Sequence, residues 1–223
     1  MRLNRTIEVG GNGQWETRQR LLEAAGEIFA EQGYRHATVR EICRRAGANV
    51  AAVNYHFGGK TGLYGQVLRY AHEQSCVKYP PPTQDQNSTP QRRLLEFVRS
   101  FLLRMFDQGR PAWHGKLTAL EMIEPTEALD KLVEEGIRPR SRALESIVRE
   151  LIGPSATSAE LRLCAMSVVS QCLFYQHCRA VITRLYPDFR YDPSSIERLA
   201  EHITRFSLNA LRGRRSEGKR RRS

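Results

Sequence analysis

Along most of this chain apolar residues return every three or four positions, and strict apolar–polar alternation is nearly absent. That spacing collects apolar side chains on one helical face, so the pattern predicts an all-α protein. The first helix is expected over about 16–32, where Leu21, Leu22, Ala25, Ile28 and Phe29 form one stripe and Gly33 follows as a stop. Thr38, with Glu41 three residues later, is a capping-box pattern that opens a second helix. That helix offers Val39, Ile42, Cys43 and Ala46 to a core and ends at Gly47. Asn49 suits the cap of a short third helix over 50–55. A fourth starts near Lys60, after Gly58-Gly59, with Leu63, Tyr64, Val67, Leu68 and Ala71 on one side. Two short helices joined by a glycine turn and backed by a longer helix make a helix-turn-helix.

Residues 79–90 (YPPPTQDQNSTP) are proline-rich and polar and read as an exposed linker. Beyond it, helices are expected over 91–108, 112–123, 126–152 with a break at 136–139, 157–185 and 193–212. Pro111, Pro139 and Pro193 suit first turns, and Gly109 and Gly153 suit ends. The expected division is a flexible stretch 1–14, a unit of three core helices over 15–78 that carries the helix-turn-helix, the linker 79–90, a second helical domain 91–212, and a disordered basic tail 213–223.

Charge sharpens this division. Residues 1–80 carry eleven Lys and Arg against seven Asp and Glu, residues 81–211 seventeen against sixteen, and residues 212–223 seven against one. The middle is balanced while the front and the end are basic, which suits a polyanion such as DNA as well as plain solubility. No apolar run is long enough to cross a bilayer and no signal-peptide pattern opens the chain, so a cytoplasmic protein without a membrane partner is expected. The five cysteines (Cys43, Cys76, Cys164, Cys172 and Cys178) contain no CxxC pair, which argues against a zinc module or disulfide scaffold. Redox sensing by Cys172 and Cys178 stays open as an alternative.

The third helix carries the candidate base-reading groups. Ala51 and Ala52 are small enough for close approach in a major groove, and Asn54 carries an amide that can pair with adenine. Tyr55 and His56 can donate to phosphates, and Lys60 can add its charge at a helix start. Tyr55 also reads as a packing residue and His56 as an exposed turn residue. Val39, Ile42, Val50, Val53 and Phe57 read chiefly as core, although Val50 opens the reading helix and is counted with the candidate contacts. Arg40 can steer DNA; Arg44 and Arg45 can do so too, or simply cover a solvated face.

Residues 17–70, above all TVREICRRAGANVAAVNYHFGGKTGLY with AAGEIFAEQGY ahead of it, resemble the DNA-binding domain of the TetR family of bacterial regulators. The resemblance implies that Thr38, Asn49, Ala51, Ala52, Asn54, Tyr55, His56 and Lys60 touch DNA. The family often has a helix-promoting residue where Gly62 stands, which predicts a looser start to the fourth helix. EMIEPTEALDKLVEEGIRP, followed by SVVSQCLFYQHCR and ITRLYPD, is similar to the CecR-type C-terminal domain. That likeness implies a repressor responsive to a small molecule.

A single reading helix covers few base pairs, so a homodimer on palindromic double-stranded operator DNA is expected. Its interface is expected on the last two helices, at Leu161, Ala165, Val168, Val169, Cys172, Ile196, Leu199, Ile203 and Phe206, unless these are simply monomer core. Trp113, His114, Met122, Gln171, Phe174, Tyr175 and His177 mix flat apolar surface with polar tips and are candidates for an inducer pocket, or for plain packing. No cofactor, metal site or catalytic motif is expected, since GxSxG, HExxH and GxxxxGK[ST] are all missing. The rivals to a ligand-released repressor are an activator, a redox-responsive regulator and a nonspecific architectural DNA-binding protein.

Overall fold

A computed structural model describes residues 10–82, 88–106 and 113–220, side chains at 10–14, 114 and 214–220 excepted. Among these residues all regular structure is helical. In chain order the elements are α1 (Gly10–His36), α2 (Val39–Ala46), α3 (Val50–Phe57), α4 (Lys60–Lys78), α5 (Pro90–Phe106), α6 (His114–Ile123) and α7 (Ala128–Lys131). A π-helical stretch (Leu132–Ile137) then leads into α8 (Arg138–Ile152), α9 (Ser158–His177), α10 (Arg179–Leu185) and α11 (Pro193–Arg220).

The chain forms two compact units. One holds residues up to 74 together with 109–132, the other 75–108 and 133 onward. This differs from the linear partition expected at 78 and 91, because α6 and α7 join the helix-turn-helix. The reason is local. Leu117 of α6 is fully buried in the cluster formed by Leu21, Ile28, Phe29, Val67 and their neighbours. The α6 carboxylate Glu121, also fully buried, accepts from the Tyr64 hydroxyl at 2.8 Å and from the Thr126 N–H and hydroxyl at 2.8 and 2.9 Å. A buried carboxylate supplied with three donors has little to gain from solvent.

In the first unit the expected stripes are the buried ones. Leu21, Leu22, Ala25, Ile28 and Phe29 pack with Ile42, Val53, Leu63 and Tyr64, and each Leu, Ile, Val or Phe among them removed from water contributes about 1.5–3 kcal/mol. The second unit packs Leu94, Val98 and Leu102 of α5 against Leu144 and Val148 of α8, Leu161 and Val168 of α9, and Ala200 and Ile203 of α11. Arg93–Glu150 and a fork between Arg99 and Glu197 tie α5 to α8 and α11 at the rim.

Several boundaries move. The first helix starts at Gly10, six residues before the expected start, and breaks at Gly33 where the stop is expected. The expected break over 136–139 is a continuous π-helical stretch instead, which runs directly into α8 with Pro139 at its second position. The 157–185 segment divides at Cys178. The last helix does not fray at 212 but runs to Arg220. Arg and Lys are good helix formers, and cations favour a helix C-terminus, which offsets Gly213 and Gly218 at about 1 kcal/mol each. Of the linker, 83–87 lie outside the described residues, as do Gly109, Pro111 and residues 1–9 and 221–223.

Candidate nucleic-acid interface

The first unit holds α3 by its two ends. Thr38 Oγ1 accepts from the Glu41 N–H at 3.2 Å and caps α2, but Glu41 turns its carboxylate to Gln32 Nε2 at 3.0 Å, so only half of the capping box forms. Gly47 closes α2 at φ 62°, a conformation a β-carbon resists, and sends the chain into α3. Asn49 Oδ1 accepts from the Ala52 N–H at 2.8 Å. This cap is worth about 1 kcal/mol and leaves the Asn49 amide hydrogens free to donate outward.

With its ends fixed, α3 divides into two faces. Val53 and Phe57 are buried, and Ala52 packs partly against the same core. Val50, Ala51, Asn54 and Tyr55 face solvent, Val50 at 43% and Tyr55 at 74% exposure. Val50 is therefore not the core residue its type suggests, since a first-turn residue on this face has no core to enter. Tyr55 is too exposed to be a core packing residue; its ring meets that of His56 edge-on, at 4.9 Å between centroids. His56 is half-buried between Tyr55 and Phe57. An exposed face of small side chains, one amide and one phenol can enter a groove and meet both base edges and phosphates.

Lys60 is less free than its position suggests. Its Nζ donates to the Arg35 carbonyl at 3.3 Å and lies 4.6 Å from the Tyr34 ring centroid, and burial lowers its pKa. Tyr34 Oη and Thr61 Oγ1 are 2.9 Å apart beside it. Spacing alone gives no sign of these two hydroxyls, because their meeting needs α1 and α4 to converge. Arg40 and Arg44 are exposed, whereas Arg45 pairs with Glu27 and Glu31 at 3.4 and 3.5 Å. The start of α4 is tight, not loose: a β-carbon on Gly62 would overlap the Phe57 carbonyl oxygen.

Residues 21–67 match the family model described as bacterial regulatory proteins, tetR family, and residues 90–211, more than half of the chain, match the C-terminal domain of the HTH-type transcriptional dual regulator CecR. The chain belongs to the TetR family of bacterial transcriptional regulators. It is 24% identical over 200 residues to the dual regulator CecR of Shigella flexneri, covering 85% of this chain and 88% of that one. With the regulator SrpR of Pseudomonas putida it shares 47% identity over 53 residues, about a quarter of each chain. In fold it resembles a TetR-like regulator from Rhodococcus sp. RHA1, with a TM-score of 0.60 at 20% identity over 93% of this chain and 99% of that one. This is a DNA-binding regulator with a helix-turn-helix.

Elsewhere in this regulator two sequence expectations change. Seven of the nine expected dimer residues, Leu161, Ala165, Val168, Cys172, Ile196, Leu199 and Ile203, lie in the core of the second unit, each at most 6% exposed. Side chains already out of water have no area left to bury on association. Val169 is partly buried against that core, and only Phe206, 61% exposed, faces outward. Exposed instead on α9 are Leu163, Met166 and Phe174, at 58%, 57% and 54%.

The expected pocket residues are divided between the two units. Trp113, His114 and Met122 belong to the first unit, and Gln171, Phe174, Tyr175 and His177 to the second. The Trp113 indole lies against Gly26, where any side chain would overlap it, and packs on the first core. Met122, Phe174 and His177 are exposed, Gln171 bonds to Ser207 Oγ at 3.1 Å, and Tyr175 stacks on Phe189. The His114 side chain is outside the described set. Cys172 is fully buried, and that burial pushes its thiol pKa up to about 12, the setting of an inert structural cysteine. Among the described residues no cluster of His, Cys, Asp and Glu is arranged for a metal, and no helix is long and apolar enough to cross a membrane.

Proposed function

We propose that this regulator is a homodimeric repressor that holds a palindromic operator and releases it when a small molecule binds the CecR-type domain. The observation that carries the reading is the outward face of α3, with Ala51, Asn54 and Tyr55 exposed while Val53 and Phe57 anchor the helix from behind. Asn54 pairs with a base edge; Tyr55, His56, Thr38 and the Asn49 amide hold phosphates, and Arg40 adds long-range attraction. Lys60 reaches a phosphate only by leaving the Arg35 carbonyl. The protein acts in the cytoplasm, on the nucleoid.

The second copy docks on the face of α9 and α11 that a lone chain leaves in water. Leu163, Met166, Ser170 and Phe174 follow one another at steps of three, four and four, one stripe of a helix, and Phe206 stands exposed on α11. Paired two-fold, such stripes give a four-helix bundle and present two reading helices at once. Inducer binding favours the arrangement that fits DNA less well, so operator affinity falls. A relative described as a dual regulator supports activation at some promoters alongside repression.

The test is direct. A palindromic target selected from random DNA should lose at least tenfold in affinity on Asn54→Ala/Tyr55→Ala, with the melting temperature unchanged because both side chains are exposed. Unaltered binding by a folded variant removes α3 as the reading element.

A further inference from the structure

The second unit contains a cleft of about 520 Å³, within the range of small-molecule sites. Its apolar lining comes from Tyr79, Leu103, Phe106, Tyr191 and Ile196, and two of these rings, Phe106 and Tyr191, stack with centroids 4.8 Å apart. None of the seven residues expected to form an inducer pocket lines it.

Its charges are unequal. Arg179 and Arg190 both line the cleft, and neither forms an ion pair among the described residues. Arg179 lies over the Tyr191 ring, 4.8 Å from its centroid, and Arg190 Nη1 donates to the Pro187 carbonyl at 2.6 Å. A guanidinium carries five N–H donors, so both keep several for a ligand. Arg104, 4% exposed and not part of the lining, donates to the Tyr79 carbonyl at 2.8 Å, and its Nη2 has no hydrogen-bond partner among the described residues. The opposing anion is Asp192, whose carboxylate is already engaged at the start of α11 by Ser194 Oγ at 2.7 Å and the Ser195 N–H at 2.8 Å.

We propose that this cleft binds a small amphipathic organic anion, a flat apolar body carrying one carboxylate. The body lies along the Phe106–Tyr191 stack, and the carboxylate takes planar, paired donors from Arg179 or Arg190, the geometry a guanidinium offers best. Asp192 repels a second negative charge and so selects for a single one. As the inducer site, the cleft rests on the reading of this protein as a ligand-released repressor; as an anion site it stands apart from that reading.

Calorimetric titration of the full chain with 1-naphthylacetate, its neutral amide and 1-naphthylmethylamine tests the site. The acid should bind at least tenfold more tightly than the amide, and the amine weakest of the three. Arg179→Gln/Arg190→Gln should erase the acid's advantage while leaving the amide unchanged, and Arg190→Gln alone should erase part of it. Equal binding of acid and amide, preference for the amine, an unaffected double variant, or binding by none of the three overturns the proposal. Operator complexes then separate the two readings. Release by the acid from the wild-type chain but not from the double variant supports both. Binding without release keeps the anion site and removes it as the inducer site. Release that persists in the double variant overturns the cleft and leaves induction standing.

Discussion

At position 62 two effects of opposite sign meet. Gly inside a helix costs about 1 kcal/mol relative to Ala, so propensity alone favours Gly62→Ala. The added methyl, however, lands on the Phe57 carbonyl oxygen, which is backbone and has no rotamer to move. Forcing such a contact apart costs about 1–3 kcal/mol, more than propensity returns. Gly62→Ala should therefore lower stability by about 1 kcal/mol in urea unfolding, and weaken operator binding as α4 shifts away from α3. A more stable variant would show that the turn gives way easily. The caps at Thr38 and Asn49 were legible in the sequence because a cap is a local bond, spanning three residues. The approach at Gly62 was not, because it depends on how sharply the chain folds back at Gly58 and Gly59.

Among the elements, α6 departs furthest from its place in the sequence. Periodicity identified it as a helix, and the pattern of the surrounding chain put it with the helices after the linker. Its unit was illegible because Leu117 packs into a cluster built on α1 to α4, and the hydroxyl that ties Glu121 to α4 lies 57 residues away along the chain. The Tyr64 ring is the hinge of that attachment: it stacks edge-on with Phe29 at 4.9 Å and contacts Tyr34 at 4.8 Å. Burial and the neighbouring Glu121 raise the pKa of its hydroxyl, so it stays a donor across the working pH range. Tyr64→Phe keeps the packing but takes one of three donors from a fully buried carboxylate, which costs about 1–3 kcal/mol. Thermal unfolding should show the loss as a drop of several degrees, and amide exchange should quicken along α6 ahead of α2. No change in either would mean that Thr126 alone satisfies Glu121. The same limit of periodicity explains α9. Apolar residues on more than one face say that two surfaces are covered, but not which is covered within the chain.

For the whole molecule, that distinction separates folding from assembly. Val168 and Met166 sit two residues apart on α9, one at 2% exposure and one at 57%. Substituting Val168 opens a cavity in the core of the second unit and lowers the stability of each copy. Substituting Met166 leaves the single chain as it was, because that side chain is already in water. Met166→Glu/Phe206→Glu therefore isolates association: the proposed two-fold interface would receive four carboxylates, and like charges brought together there cost several kcal/mol. The double variant should sediment as a folded monomer. It should hold a half-site weakly and bind the full palindrome at least a hundredfold less tightly, since each reading helix then pays its own entropic cost of binding. The salt dependence of binding should flatten as well, because a monomer neutralises about half as many phosphates. A variant that stays dimeric would move the interface away from α9 and α11, and one that stays monomeric yet binds the palindrome fully would separate DNA recognition from assembly altogether.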